Sequence, residues 1–561
     1  MTEWSYAVLQ VLLGFTLAAG TALAARQPAS SDVVVFDHPG GFCPTAFTLT
    51  LATRVGQGTI YYTTNGTEPK PAKSNRYVSP LAITTTTIVR AAVCQTGTNL
   101  VGTEARTFLF VSDILTQTGN QFPSTWGANQ GKMVPACYGM ATANEKNVSA
   151  RQTVAAGLHS LPTLSLIAIP ADLFSPETGI YTHPQDRGGA WERPISLELF
   201  DADGRLAFQC AAGLRIHGGT SRRPEESPKH SFRLDFRERY GSAPLHFPVF
   251  GANGAQDFDR LVLRAGNNDS WLTSRGEDRQ KADYLRDEWM RQSMSDMGHP
   301  SARGRFVHLY LNGLYWGVYN LCEQPGPALL AADPTTDFDV RKADKIEAGD
   351  DDAWNQMMRL INVGVNDNPR YAEISRYLDL PELADYLILN FYAGNSDWDR
   401  TANWFAVRPR TPGGQFQFLV WDGECTLRNL NADTLDFDDD ESPPRLFHAL
   451  SENAEFRKLF ATRARQLLFN DGPLATEKAA ERYRALADSV ALALTAEAAR
   501  WGNYRREVQP YKTGPYESYT VENSWRTETN RILSQYFPQR REILVNQLRA
   551  RGLFADQLSE P

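Results

Sequence analysis

Three polar side chains in the C-terminal half have the types and spacing of a phosphoryl-transfer site. Asp397 and Asn403 lie six positions apart in Asn395-Ser-Asp-Trp-Asp-Arg-Thr-Ala-Asn-Trp404, just after an apolar stretch. Asp422 ends the apolar run Phe418-Leu-Val-Trp-Asp422. A carboxylate at the first position can take the proton of an attacking hydroxyl. An amide oxygen and a second carboxylate are the hard oxygen ligands that Mg²⁺ prefers. Upstream, Ile216-His-Gly-Gly-Thr-Ser-Arg-Arg223 sets bare glycine backbone and hydroxyls beside two arginines, a chemistry that suits phosphate. Taken alone it is also an ordinary Gly-Gly turn. Lys229 follows in Pro228-Lys-His-Ser-Phe-Arg233, where a lysine entering a strand can reach nucleotide phosphates. Other chemistries are excluded by pattern. HExxH, GxSxG, GxGxxG and CxxC are absent, and Gly127-Ala-Asn-Gln-Gly-Lys-Met133 is one residue short of a P-loop and ends in Met.

These side chains need elements to hold them. PTLSLIAIP, RPISLELF, GLRIHGG, HSFRLDF and DRLVLRAG read as short strands from Leu161 on, and FVHLYLNG with LYWGVYNL as a hairpin turning at Asn312-Gly313. Ala282–Met297 carries Leu285, Trp289, Met290, Met294 and Met297 at helical spacing, and Leu380–Gly394 predicts a second helix. TANWFAVR and GQFQFLVW predict a second strand pair, and from Arg445 the pattern is helical. Residues 33–112 form a separate β-rich segment, and 113–158, rich in Asn, Gln, Gly and Ser, read as a linker. Cys43 and Cys94 flank the β-rich segment; they could pair in an oxidising compartment or remain buried thiols.

Composition narrows the field. With 42% hydrophobic and 22% charged residues over 561 positions the chain is globular. Its net charge of −8 argues against a nucleic-acid partner. The apolar stretch Ser5–Ala25, with Ala22 and Ala24 before a possible cut, resembles a secretory signal peptide or an uncleaved anchor. That predicts a secreted or cell-envelope location, with no other membrane contact. The acidic run Asp436-Phe-Asp-Asp-Asp-Glu441 could bind Ca²⁺, meet a basic substrate or be a solvated loop.

Two resemblances follow from these stretches. Tyr61-Tyr-Thr-Thr-Asn-Gly-Thr-Glu-Pro69 resembles the strand and turn of the small β-sandwich appended to chitobiase-type secreted enzymes. It implies an accessory module, in which Tyr61 and Tyr62 stack on sugar or fill the core. Gly213–Ser221, Pro228–Phe236, Leu309–Leu321, Ala393–Trp398 and Val420–Glu424 together resemble the CotH kinase family of spore-coat protein kinases. The resemblance implies an α+β, two-lobed atypical protein-kinase-like domain over 159–555, preceded by the β-sandwich. It implies ATP- and Mg²⁺- or Mn²⁺-dependent phosphorylation of Ser or Thr in exported proteins. Carried over residue by residue, Asp397 is the catalytic carboxylate, and Lys229, Gly218, Gly219 and Ser221 face phosphate. Asn403 and Asp422 hold metal, Glu424 assists, and Glu323 near the inter-lobe hinge touches nucleotide. Asp399 is a competing carboxylate, and Asp287 and Glu288 are candidate partners for Lys229. The alternatives are a non-catalytic pseudokinase that binds at a surface, or a kinase-fold enzyme transferring AMP or glutamate.

Overall fold

The computed structural model describes residues 33–54, 58–95, 100–119, 122–129, 132–143, 146–241, 243–251, 256–330, 336–398 and 403–554. The apolar N-terminal stretch and Asp399 lie outside them. Among the described residues, no helix is long and apolar enough to cross a membrane.

The N-terminal module is all β. A five-stranded sheet runs in the order Gly41–Phe42, Leu100–Leu109, Thr87–Cys94, Thr59–Thr63, Asn75–Arg76, and two short ladders cover it. Val34, Leu49, Leu51, Val89 and Phe108 fill the space between. The turn after Thr63 forms as its residues dictate. Asn65 Oδ1 accepts from the Thr67 N–H at 3.2 Å, and Gly66 takes φ +78°, which glycine adopts without steric cost. Tyr62 packs on the module's core, while Tyr61 is half-buried. Cys43 and Cys94 are both thiols.

The stretch expected to be a linker is instead packed structure. Thr125–Asn129 pairs antiparallel with Lys132–Pro135. Trp126 is fully buried and packs against the rings of Tyr138, Tyr181, Trp316, Trp501 and Tyr504. Polar composition misled because side chains such as Gln117 turn inward: its amide donates to Tyr138 O at 2.7 Å and accepts from Tyr315 N at 2.9 Å. Two aromatics, Trp126 and Tyr138, a few aliphatic side chains and satisfied amides are enough to bury a segment of largely polar composition.

Next comes a closed seven-stranded barrel in the order Thr163–Ala168, Arg193–Phe200, Leu206–His217, Ser231–Asp235, Arg260–Arg264, Leu314–Glu323, Gly304–Leu311. Parallel pairing of Thr163 with His308 closes it. Asn312 and Gly313 both take positive φ, as the tight hairpin between the last two strands requires. A four-stranded sheet follows, Lys345–Ala348, Phe338–Lys342, Trp404–Pro409, Gln417–Val420, with the helices Leu380–Ala393, Ala454–Leu468, Thr476–Val490 and Phe537–Ala550 around one large core. The helix expected from Ala282 starts later, at Arg286, because Tyr284 takes φ +68° and breaks the helical path.

The β module seats on the barrel through a buried carboxylate. Glu198 is 0% exposed, and its Oε2 accepts from the Thr107 N–H at 3.0 Å. Burial lifts its pKa to about 7, against the pull of Arg106 and Thr107. The unfolded chain releases this proton near pH 4.5, so the folded state is favoured most below that value and loses the advantage as pH rises through 7. The swing is worth ~3 kcal/mol. In thermal melts between pH 5 and pH 8.5, Glu198→Gln should lose less stability on the alkaline side than wild type. Parallel pH profiles of the two proteins would refute this.

Candidate active site

A cleft of ≈ 900 Å³ opens where one rim of the barrel faces the four-stranded sheet and the segment after the Leu380–Ala393 helix. Gly218, Gly219, Ser221, Asp397, Asn403, Asp422 and Glu424 all line it. The chain therefore gathers residues more than two hundred positions apart around one hollow.

Local chemistry places each of them. Gly218 (φ +114°) turns the chain out of the strand Leu206–His217. Arg222 then staples this loop from below. Its Nε donates to Gly218 O at 2.9 Å, its NH1 to Pro184 O and Asp186 O at 2.8 and 3.0 Å, and its NH2 to Ile216 O. Burial lowers its pKa to about 10, with Arg187, Arg233 and Arg215 adding to the effect, so it remains a cation at neutral pH. Asp397 sits past a helix that ends on Gly394 in the left-handed region. Asn395 folds back onto Asn390 through Nδ2–Oδ1 at 2.8 Å and accepts from the Asp397 N–H at 3.1 Å. Fully buried Trp398 anchors the far side. The thiol of Cys425 reaches Asp397 Oδ2 at 3.7 Å, and burial pushes that thiol up to about 12.

Strand register brings the other two together. Trp404 pairs with Val420, so Asn403, one residue before, and Asp422, two residues after, emerge at the same end of the hairpin. Asn403 (φ +73°) donates its amide to Asp397 O at 2.6 Å. That uses the NH₂ end of the amide, leaving the carbonyl as the end suited to a cation, and it ties Asn403 to Asp397 despite their six-residue spacing.

Arg264, which sequence reasoning missed, organises the acids. It ends its apolar strand just as Asp422 ends another, and that symmetry was the available signal. Its guanidinium meets Asp287 at 3.1 Å, Asp422 at 2.6 Å and Glu424 at 2.7 Å, with the Trp421 ring 4.7 Å away. Burial opposes its charge, but the three carboxylates push its pKa well above the usual arginine value. Burial raises the carboxyl of Glu424, partly offset by Arg264. Asp287 is held below the usual carboxylate range despite burial, by Arg264 and Arg291, and accepts from the Gly423 N–H at 2.9 Å. Asp287 and Glu288 are thus buried partners of arginines, not of Lys229.

Two expected residues do not reach the cleft. Lys229 is 1% exposed. Its Nζ donates to Glu497 at 2.7 Å and to Val318 O at 2.6 Å, and lies 4.7 Å from the Tyr319 ring. It turns into the barrel's seam with the Ala493–Trp501 helix, because Glu497 offers a buried counter-charge there. Glu323 is bound by Arg303 at 2.5 and 3.1 Å on the barrel rim; its neighbour Gln324 lines the cleft instead. The acidic run 436–441 is largely tied to arginines: Asp436 to Arg551, Asp438 to Arg445 and Glu441 to Arg341. Among the described residues, no group of three or more His, Cys, Asp or Glu is gathered to hold a metal. Asp422, one-third exposed, and Asn403 still offer the carboxylate and amide oxygens that a hard divalent cation takes together with phosphate and water.

Two known families match parts of the chain. The family described as CotH kinase protein matches residues 214–544, and that described as Chitobiase/beta-hexosaminidase C-terminal domain matches residues 38–103. The first match covers more than half of the chain, which belongs to the CotH kinase family, a family of protein kinases that implies use of ATP. No curated protein matches the chain.

Proposed function

We propose that the chain is an exported kinase that moves the γ-phosphoryl group of ATP, with Mg²⁺ or Mn²⁺, to Ser or Thr of secreted or cell-surface proteins. The observation that carries this reading is the convergence of Asp397, Asn403 and Asp422 with the Gly218-Gly219-Ser221 loop on one cleft. The barrel serves as the smaller lobe, and the four-stranded sheet with its helices as the larger. The apolar Ser5–Ala25 stretch supports export.

The residues divide the work. Asp397 orients the acceptor hydroxyl and takes its proton. Glycine backbone at 218 and 219 lets N–H groups approach phosphate closely, and Arg222 keeps that loop in place. Asp422 and Asn403 would hold the metal, which when bound offsets the charge of the phosphates. Arg264 fixes the direction of the Asp422 and Glu424 carboxylates. Arg222→Ala should therefore raise the KM for ATP about tenfold or more, by loosening the loop. An unchanged KM would remove Arg222 from this role.

The deciding experiment incubates the protein with acceptor proteins and ATP labelled in either the α or the γ phosphate, beside a thermal shift with ATP and Mn²⁺. Label from the γ position supports the kinase reading. Label from the α position means AMP transfer, and no nucleotide-dependent shift means a pseudokinase.

A further inference from the structure

The cleft carries more positive charge than its own acids neutralise. Arg187, Arg275, Lys342 and Lys345 line it without an acidic partner among the described residues, while other lining cations are paired, such as Arg428 with Asp278 and Lys512 with Glu226. In all, ten arginines and lysines line the cleft against seven aspartates and glutamates, among them Glu347 on the same hairpin as Lys345 and Asp186 beside Arg187. A metal-bound triphosphate brings roughly two net negative charges, so it leaves part of this surplus unmet. The field is felt at the cleft floor. Burial and then Lys342, Arg264, Arg233 and Arg222 drive the pKa of His217 well below 6.5.

The surplus shares one cleft with the acceptor position. Lys342 pairs in register with Phe405, two residues from Asn403. Arg275 precedes the helix Gly276–Gln280, whose Asp278 binds Arg428 at 3.0 Å. Arg428 follows Cys425, which touches Asp397. Unpaired cations from two separate elements therefore line the cleft that holds Asp397, through which a chain presenting its hydroxyl would run. We infer that the acceptor is a Ser or Thr set in an acidic segment, with Asp or Glu on both sides of it. This rests on the kinase reading above and names its substrate class. A basic trough in a chain with a net charge of −8 suits selection of an acidic partner by charge.

The test uses the full chain and two fluorescent Ser peptides of equal length, one flanked by Glu and one by Lys. Binding is read by anisotropy with Mn²⁺ and a non-hydrolysable ATP analogue, and transfer by γ-labelled ATP. The Glu-flanked peptide should bind about tenfold tighter, with an advantage that shrinks as salt rises. Arg275→Glu combined with Lys345→Glu, both at exposed positions, should erase that advantage without changing the melting temperature. Equal or tighter binding of the Lys-flanked peptide overturns the inference, as does an unaltered preference in the double variant. Tighter binding of a single-stranded oligonucleotide of the same charge overturns it too. Binding of the acidic peptide without γ-phosphoryl transfer would refute the kinase reading and leave this selectivity standing.

Discussion

Asp422→Asn should cut γ-phosphoryl transfer by about a thousandfold while the fold survives. Asparagine is chosen because Asp422 takes φ +58°, a left-handed backbone that Asn tolerates and Ala resists. The substitution removes one negative charge and little else. Arg264 keeps Asp287 and Glu424 as partners, so the barrel rim stays tied to the turn at Gly423–Cys425. What disappears is the carboxylate that would face the metal. Two measurements check this together: the initial rate of γ-label transfer, and the Mn²⁺-dependent thermal shift in the presence of ATP. Both should collapse, with an unliganded melting temperature close to wild type. Full transfer by the variant would show that the metal is held elsewhere.

Lys229→Met should act on stability instead of catalysis. Removing one member of a buried ion pair strands the other, at a cost of about 3–5 kcal/mol. Here the stranded group is Glu497, 0% exposed, which still accepts from the Val318 N–H at 2.7 Å and faces the Tyr284 hydroxyl. The urea midpoint should fall sharply, while the KM for ATP of the protein that remains folded stays put. Adding Glu497→Gln should return much of the loss, since an amide can still accept from Val318 without burying a charge. The opposite pattern, an unmoved midpoint with a KM raised many-fold, would restore Lys229 to the phosphates.

That contrast marks where sequence reading reached and where it stopped. Period and turn chemistry located the barrel strands, the Asn312-Gly313 hairpin and the helix ending at Gly394, since each is decided by neighbours in the chain. Asp397, Asn403 and Asp422 were legible because their positions follow from a helix end and a two-stranded register. Lys229 was not, because the direction of a long side chain depends on Glu497, 268 residues away. Arg264 was hidden for the same reason: its three acids come from two distant segments. The hairpin Phe338–Lys342 with Lys345–Ala348 gave little alternation to read, since its second strand is exposed throughout.

Closure of the barrel bears on how this protein can be dissected. The family match begins at residue 214, inside the strand Leu206–His217, yet two staves of the barrel, Thr163–Ala168 and Arg193–Phe200, come earlier. A fragment trimmed to the matched residues would leave Gly304–Leu311 and the four-residue remnant Leu214–His217 as the ends of an open sheet. Unpaired amides there invite strand exchange and insoluble product. Soluble expression therefore calls for a start at or before the helix Val148–Leu158, which braces the Ala493–Trp501 helix from outside, with Thr495 Oγ1 3.4 Å from Thr153 O.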